Sequence, residues 1–279
     1  NGVVLSLPSR AFSSQSYLTT INLPNCIYAD NYAFYYCTKL ISVNLPNCTY
    51  IDGFAFERCD SLISIDLPNC SYINGGAFYE CSSLSSVNLP LCEHVANNAF
   101  YECLNLTYVN LPLCEYVGHA AFSDCKSLTS IDLPNCSYIC SNYAFGYCSS
   151  LSSVNLPLCE YVGGLAFVGC HLLTSIDLPN CSYVGDRAFG WCSALSIVNL
   201  PLCEYIDGAF YSCISLTSID LPNCKSIDNE AFGNCSNLQS VNLPLCEYLD
   251  FSTFIGCYSL TSVNLPLCKH LGHGIFYHC

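Results

Sequence analysis

Cysteine is the residue type in this chain best equipped for chemistry, and it occurs 25 times in 279 residues. A thiol can pair as a disulfide, hold zinc as a thiolate or attack a substrate, and spacing discriminates among these. The cysteines stand at 26, 37, 48, 59 and 70 and continue at a step of 11 to Cys279, with a longer interval from 136 to 148, a shorter one from 203 to 213, and only Cys140 off the ladder. Zinc is disfavoured, because no Cys-x-x-Cys pair offers two sulfurs to one ion. Catalysis is disfavoured as well. A nucleophile, base and orienting group must be assembled once in a pocket, whereas Ser, Asp and Glu recur here as columns. Glu93, Glu115, Glu160, Glu204 and Glu247 supply one carboxylate per repeat, fewer oxygens than a calcium site collects. His270, His273 and His278 beside Cys268 and Cys279 read as an exposed last turn. No metal, cofactor or enzymatic activity is therefore expected. Two readings of the thiols stay open. They are either small buried hydrophobes filling two core columns or disulfides between adjacent turns, since strand spacing falls within the Cα separation a disulfide tolerates.

The elements that carry the cysteines follow from their two alternating contexts. One is Leu-Pro-x-Cys, as in Leu67-Pro68-Asn69-Cys70, and the other is Ala-Phe-x-x-Cys, as in Ala77-Phe78-Tyr79-Glu80-Cys81. Together they define a 22-residue unit, L-x-x-[IV]-[ND]-L-P-x-C-x-x-[IV]-x-x-x-A-F-x-x-C-x-x. Residues 1–17 form an abbreviated first turn and residues 18–279 form twelve repeats, read as one solenoid over 1–279. In Leu128–Pro134 the side chains of Ile131 and Leu133 point one way and those of Ser130 and Asp132 the other, the alternation of a short strand, which Pro134 ends. Ile139, Ala144, Phe145 and Cys148 recur at closer to helical spacing, which predicts a short helical, 3₁₀ or irregular return. Two leucines, two β-branched residues, Ala, Phe and two cysteines per turn face inward. No single turn can enclose them, so neighbouring turns must stack around a shared core.

This pattern resembles the leucine-rich repeat in its cysteine-containing form, and specifically the BspA-like subfamily. Leu151, Val154, Leu156, Pro157, Cys159, Val162, Ala166, Phe167 and Cys170 match it in a single turn. The resemblance implies a right-handed coil with parallel strands on one face, located extracellularly or at the cell surface and used for adhesion or protein binding. The unit here is one residue shorter than is usual in the subfamily, and every turn has Cys after Leu-Pro-x.

Charge narrows the partners. With 7 Lys+Arg against 21 Asp+Glu the net charge is −14, and no basic cluster exists, so nucleic acid and anionic membrane surfaces are excluded. At 52% hydrophobic and 10% charged the chain is rich enough in apolar residues to fold. No apolar run approaches the roughly 18 residues that a membrane-spanning helix needs.

Two surface columns are candidates for interaction. The strand position between the core residues is always Asn or Asp, including Asn88, Asn110, Asp132, Asn155, Asp177 and Asn199. It is either a structural polar ladder or a face for a periodic ligand. Two residues after the first cysteine runs an aromatic column that includes Tyr116, Tyr138, Tyr161, Tyr183 and Tyr205, with His94, Ser226 and His270 in its gaps. It is either packing at a turn or the exposed aromatic strip of a sticky or sugar-binding surface. Variation between turns concentrates elsewhere, as at Asp186-Arg187, at Asp207-Gly208 and at Asp250-Phe251-Ser252. The expected function is an extracellular, non-catalytic binding or adhesion module for host or matrix proteins or glycans. The alternative is a structural protein: the chain opens on half a turn and stops on the last Phe-x-x-Cys, so copies could join end to end as a filament.

Overall fold

Proline and the cysteines shape each turn through local hydrogen bonds. The computed structural model describes residues 5–279. In it, the strand Ser64–Asp66 runs into a β-turn that Cys70 N–H closes onto the Leu67 carbonyl at 3.1 Å, with Pro68 in the second position, where its fixed φ suits the bend. A second strand, Tyr72–Ile73, follows. Three β-turns then overlap: Ala77 N–H to Asn74 O, Tyr79 N–H to Gly76 O and Cys81 N–H to Phe78 O, at 3.2, 3.0 and 3.2 Å. Leu84 N–H to Cys81 O makes the last corner before the strand Ser86–Asn88. Both cysteines of a turn thus occupy the closing position of a β-turn.

Of the three forms expected for the return it takes the irregular one, for it is neither α-helical nor 3₁₀, and no helix occurs among the described residues. The reason lies in two left-handed backbone positions per turn, directly before Ala and directly before Cys. Gly76 and Glu80 have φ of 64° and 55°, and Tyr32/Tyr36, Phe54/Arg58 and Arg187/Trp191 repeat the pair. A left-handed residue at every fourth place ends any right-handed helical run. The N–H groups alternate instead. Those of Ala77, Tyr79 and Cys81 stay within the turn, while those of Phe78 and Glu80 reach Ala99 O and Tyr101 O of the next turn, both at 2.8 Å.

A second finding is an additional parallel sheet. In the unit Asn1–Cys136 it joins Leu5–Leu7, Cys26–Ala29, Tyr50–Ile51, Tyr72–Ile73, His94–Val95 and Tyr116–Val117. In the unit Ser137–Cys279 the strands from Tyr138–Ile139 to His270–Leu271 pair in the same way. The chain is therefore a parallel β-solenoid of about twelve turns of about 22 residues, with two strands per turn. The sheet of Asn/Asp-bearing strands is broken into blocks: Thr20–Asn22 with Ser42–Asn44, Ser64–Asp66 through Tyr108–Asn110, Ser175–Asp177 with Ile197–Asn199, and Ser218–Asp220 through Ser262–Asn264.

The inward columns are those expected from the repeat. Leu62, Leu67, Cys70, Ile73, Ala77, Phe78 and Cys81 have no accessible surface, and Ile65 has 2%. The phenylalanines stack along each unit, Phe56 on Phe78 at 5.2 Å and Phe167 on Phe189 at 5.3 Å, with near-parallel rings. Each cysteine column has its own acceptor. Cys70 and Cys181 direct their S–H to the carbonyls of Tyr72 and Tyr183 two residues on, at 3.3 and 3.2 Å. Cys81 and Cys192 reach back to Phe56 O and Phe167 O of the preceding turn, at 3.0 and 3.3 Å. These four are free thiols, each a small core-filling group whose weak donor meets a buried carbonyl. Burial pushes Cys70 and Cys181 up to about 11 and Cys192 up to about 12, which keeps them protonated and unreactive at neutral pH.

Candidate interaction surface

The Asn/Asp column lies on the first strands. Asp132, Asn155, Asp177 and Asn199 are exposed, and Asn88 and Asn110 are half-buried. It forms a side-chain ladder in which each Asn donates to the turn before: Asn88 to Asp66, Asn110 to Asn88 and Asn199 to Asp177, at 2.8, 2.7 and 2.7 Å. An aspartate accepts but cannot donate, so an Asp can only begin such a run. Breaks in the strand blocks fall at the same junctions, Asn44 to Asp66 and Asn199 to Asp220. The column's amides are thus largely engaged with one another.

The aromatic column occupies the second sheet, on strands rather than at a turn. In the first unit Tyr28, Tyr50, Tyr72, His94 and Tyr116 form a continuous stack with ring centroids 4.3–5.3 Å apart. Burial lowers the pKa of His94, so a neutral imidazole completes the stack. In the second unit Tyr138 stacks on Tyr161 at 4.6 Å, Tyr161 on Tyr183 at 4.9 Å, and Tyr248 on His270 at 4.3 Å. Stacking covers ring faces and leaves edges and hydroxyls outward. A sugar platform needs open faces, so most of the column is unsuited to one.

In the first unit some hydroxyls are tied down. Tyr28 donates to Asp52 at 2.5 Å, and Asp52 also accepts from Asn31, Asn74 and Gly53 N–H at 2.9, 2.6 and 2.7 Å. Burial opposes ionisation of Asp52, but these four donors outweigh it and hold the carboxyl below its usual range, while the same bond to Asp52 raises Tyr28. The second unit is more open, with Tyr138, Tyr205 and Tyr248 exposed at 37%, 48% and 39%.

A further exposed column is not anticipated from the repeat. The residue after proline is Leu91, Leu113, Leu158, Leu202, Leu245 or Leu267 in half the turns, each 40–51% exposed. The signal for it is the exchange of Leu with Asn at that position, as in Asn69 and Asn180, which only a solvent-facing site tolerates. Those asparagines donate to Pro46 O and Pro157 O of the preceding turn at 2.7 Å. Leucine, glutamate and tyrosine of Leu-Cys-Glu-Tyr together make a stripe along the second sheet.

Three hollows lie among the described residues of the second unit, one of them, of ≈ 340 Å³, beside Leu260, Val263, Phe276 and Cys279 in the last turns, and the other two bear on the surface columns. One, of ≈ 460 Å³, is lined by Tyr205, Lys225, Leu245, Glu247, Tyr248 and Leu267 and belongs to the stripe. The other, of ≈ 390 Å³, sits where the repeat shortens and is lined by Asp186, Arg187, Asp207, Asn229, Glu230 and Phe251. Arg187 bridges Asp186 and Glu230 at 3.5 and 3.6 Å and lies over the Trp191 and Tyr211 rings. Burial, then repulsion from Asp186 and Asp228, raises Asp207. Arg187 thus ties up two of the hollow's carboxylates, while its buried Nε has no hydrogen-bond partner. No cluster of three potential metal ligands occurs among the described residues, and no helix there is long and apolar enough to cross a membrane.

The sequence matches the family described as BspA type leucine rich repeat region, in six copies, over residues 5–114, 71–195 and 160–279. Among solved structures, a leucine-rich repeat protein from Bacteroides ovatus superposes with a TM-score of 0.62 at 23% identity, covering 93% of this chain and 82% of that one. A leucine rich cell surface protein from Faecalibacterium prausnitzii gives 0.51 at 24% identity, over 92% and 81%. A leucine-rich repeat protein from Eubacterium ventriosum gives 0.52 at 16% identity, over 98% and 80%. At these identities the likeness is one of fold. No curated protein matches significantly.

Proposed function

We propose that this chain, which belongs to the BspA-type leucine-rich repeat family, is an extracellular, non-catalytic adhesion module that binds proteins through the Leu-Glu-Tyr stripe of its second sheet. Repeats of this type are typically binding modules, and the fold is generally a non-enzymatic scaffold. The observation that carries the reading is the exposure of large apolar side chains along one stripe: Leu158, Leu202 and Leu245 at 48%, 51% and 41%, beside Tyr205 and Tyr248. The leucines alternate with Asn180 and Asn223, so they punctuate the aromatic column beside them, and exposed apolar side chains gathered along one face mark interaction sites. Interface cores favour aromatics with an outer rim of charge, which Glu160, Glu204 and Glu247 provide. Stacked ring faces disfavour glycan as the general ligand, and the Asn/Asp ladder is better read as structure. A surface location is supported by family membership and by the cell-surface relative.

Arrays of immobilised matrix proteins and glycans test this reading with three proteins: wild type, a stripe variant (Leu158→Ser, Leu202→Ser, Tyr161→Ser) and a ladder variant (Asn155→Ser, Asn199→Ser). Protein spots retained by the ladder variant and lost by the stripe variant are expected. Binding that survives the stripe changes, or that is confined to glycans, overturns the proposal.

A further inference from the structure

One turn of the aromatic column lacks its ring. Tyr205, Ser226 and Tyr248 are in-register neighbours on three successive strands of the second sheet, so Ser226 stands where nine other turns place tyrosine. The consequences are visible on both sides. Tyr248 has one face on His270 at 4.3 Å and the other toward Ser226. Tyr205 has no ring partner among the described residues and is the most exposed tyrosine of the column, at 48%. The hollow of ≈ 460 Å³ lies here, with Leu245 and Leu267 completing its wall.

We infer that this gap is a binding slot for an aromatic side chain, Tyr or Trp, of a partner protein. Spacing supplies the first argument. Two strand spacings, about 9.6 Å, separate Tyr205 from Tyr248, so an inserted ring would lie about 4.8 Å from each, inside the range of offset stacking. The protein's own stacks in the same column repeat at 4.3–5.3 Å, a range that contains this spacing. Charge supplies the second. Lys225 pairs with Glu204 at 2.7 Å and Lys269 with Glu247 at 2.8 Å, so the rim is neutral pair by pair and favours neither a guanidinium nor a carboxylate. Polar capacity supplies the third. Ser226, between the two tyrosines in the strand register, spends its hydroxyl on Asp228 at 3.1 Å, which leaves it no donor for a sugar hydroxyl. A flat, neutral, largely apolar ring is what these walls accept, and such rings are the commonest anchors of protein interfaces.

The slot rests on the reading of the stripe as a protein-binding face, and its test is separable from that one because it uses small probes. Ligand-observed NMR with N-acetyl-tryptophanamide and N-acetyl-tyrosinamide is run beside N-acetyl-leucinamide, N-acetyl-argininamide and methyl glucoside. Single aromatic side chains are expected to bind with affinities on the order of millimolar. Ser226→Ala leaves the slot open and is expected to retain that binding. Ser226→Tyr fills the slot with the column's own ring and is expected to weaken it at least about tenfold, the effect of one lost stacking contact. Tyr248→Leu, which removes one wall, gives the same loss should the filled variant fold poorly. Aromatic binding unchanged by Ser226→Tyr and Tyr248→Leu overturns the inference, as does preference for the arginine amide or the glucoside, or no binding by any probe. Loss of array partners through the stripe variant alone, with the slot silent, would leave the protein-binding face standing without this anchor.

Discussion

At the residue scale, the least ordinary side chain is Asp52, a carboxylate with 9% exposure serving four donors. Its folded pKa lies below the unfolded value near 3.9, so its contribution to stability is fully present above that value and is lost as pH falls through the folded one. Asp52→Asn should cost about 1–3 kcal/mol at pH 7, because an amide turns its NH₂ toward donors that need an acceptor. It should also flatten the melting temperature between pH 5 and pH 2 in the first unit. An unaltered acid slope in the variant would show that the node does not carry the effect. Gly76 is a second sensitive position. At φ 64° it is left-handed, and an added Cβ would run into the Phe54 ring, which is itself stacked on Tyr32 at 5.4 Å. Gly76→Ala is therefore expected to destabilise by roughly 1–3 kcal/mol, read from urea unfolding. The equivalent change at Gly75, whose Cβ would make only an ordinary contact with Asn97 O, should cost less. Equal losses at the two sites would sink the argument.

At the scale of elements, the two cysteine columns and the Phe stack are legible in the sequence because a step of 11, altered only at 136–148 and 203–213, survives the surface changes between turns. The second sheet is not legible in this way. A two-residue strand such as Tyr72–Ile73 is too short to show alternation, and only stacking of neighbouring turns supplies its partners. Which form the return takes is not legible for a related reason. Ile139, Ala144, Phe145 and Cys148 have nearly helical spacing, but consecutive β-turns produce that spacing too, and left-handed Tyr143 and Tyr147 announce nothing by residue type. Of the candidate site, the aromatic column and its Ser226 gap can be seen in the sequence, whereas which ring faces remain open cannot. The Asn/Asp ladder yields a prediction at this scale. Asp220 follows Asn199 across a break in strand pairing, and Asp66 follows Asn44 across another. Asp220→Asn and Asp66→Asn each restore a donor that can reach the preceding turn and each remove a negative charge. Each should stabilise its own unit by about 0.5–1.5 kcal/mol, the usual worth of one such bond. Thermal unfolding of the two single variants checks it, and a lower midpoint in both would refute the ladder account of the breaks.

At the scale of the whole molecule, a turn has no core of its own, and each buried residue belongs to its neighbours. Phe78 contacts Phe56 and Phe100 at 5.2 Å on its two sides, its N–H bonds Ala99 O, and its carbonyl accepts from Cys81 N–H and from the Cys103 thiol at 3.2 Å. Stability in such an array is a sum of turn and nearest-neighbour terms. Phe78→Ala removes a fully buried ring, at a cost of about 3–5 kcal/mol. The loss should not be shared evenly through the first unit. Native-state hydrogen exchange is expected to show the largest fall in protection at the Phe56, Phe78 and Phe100 amides, whose inter-turn bonds flank the cavity. Phe12, bonded to Ala33 O at the far end of the same stack, should keep most of its protection. A uniform fall across that unit would mean that it opens as one cooperative block, and turn-by-turn additivity would then fail as a description of this solenoid.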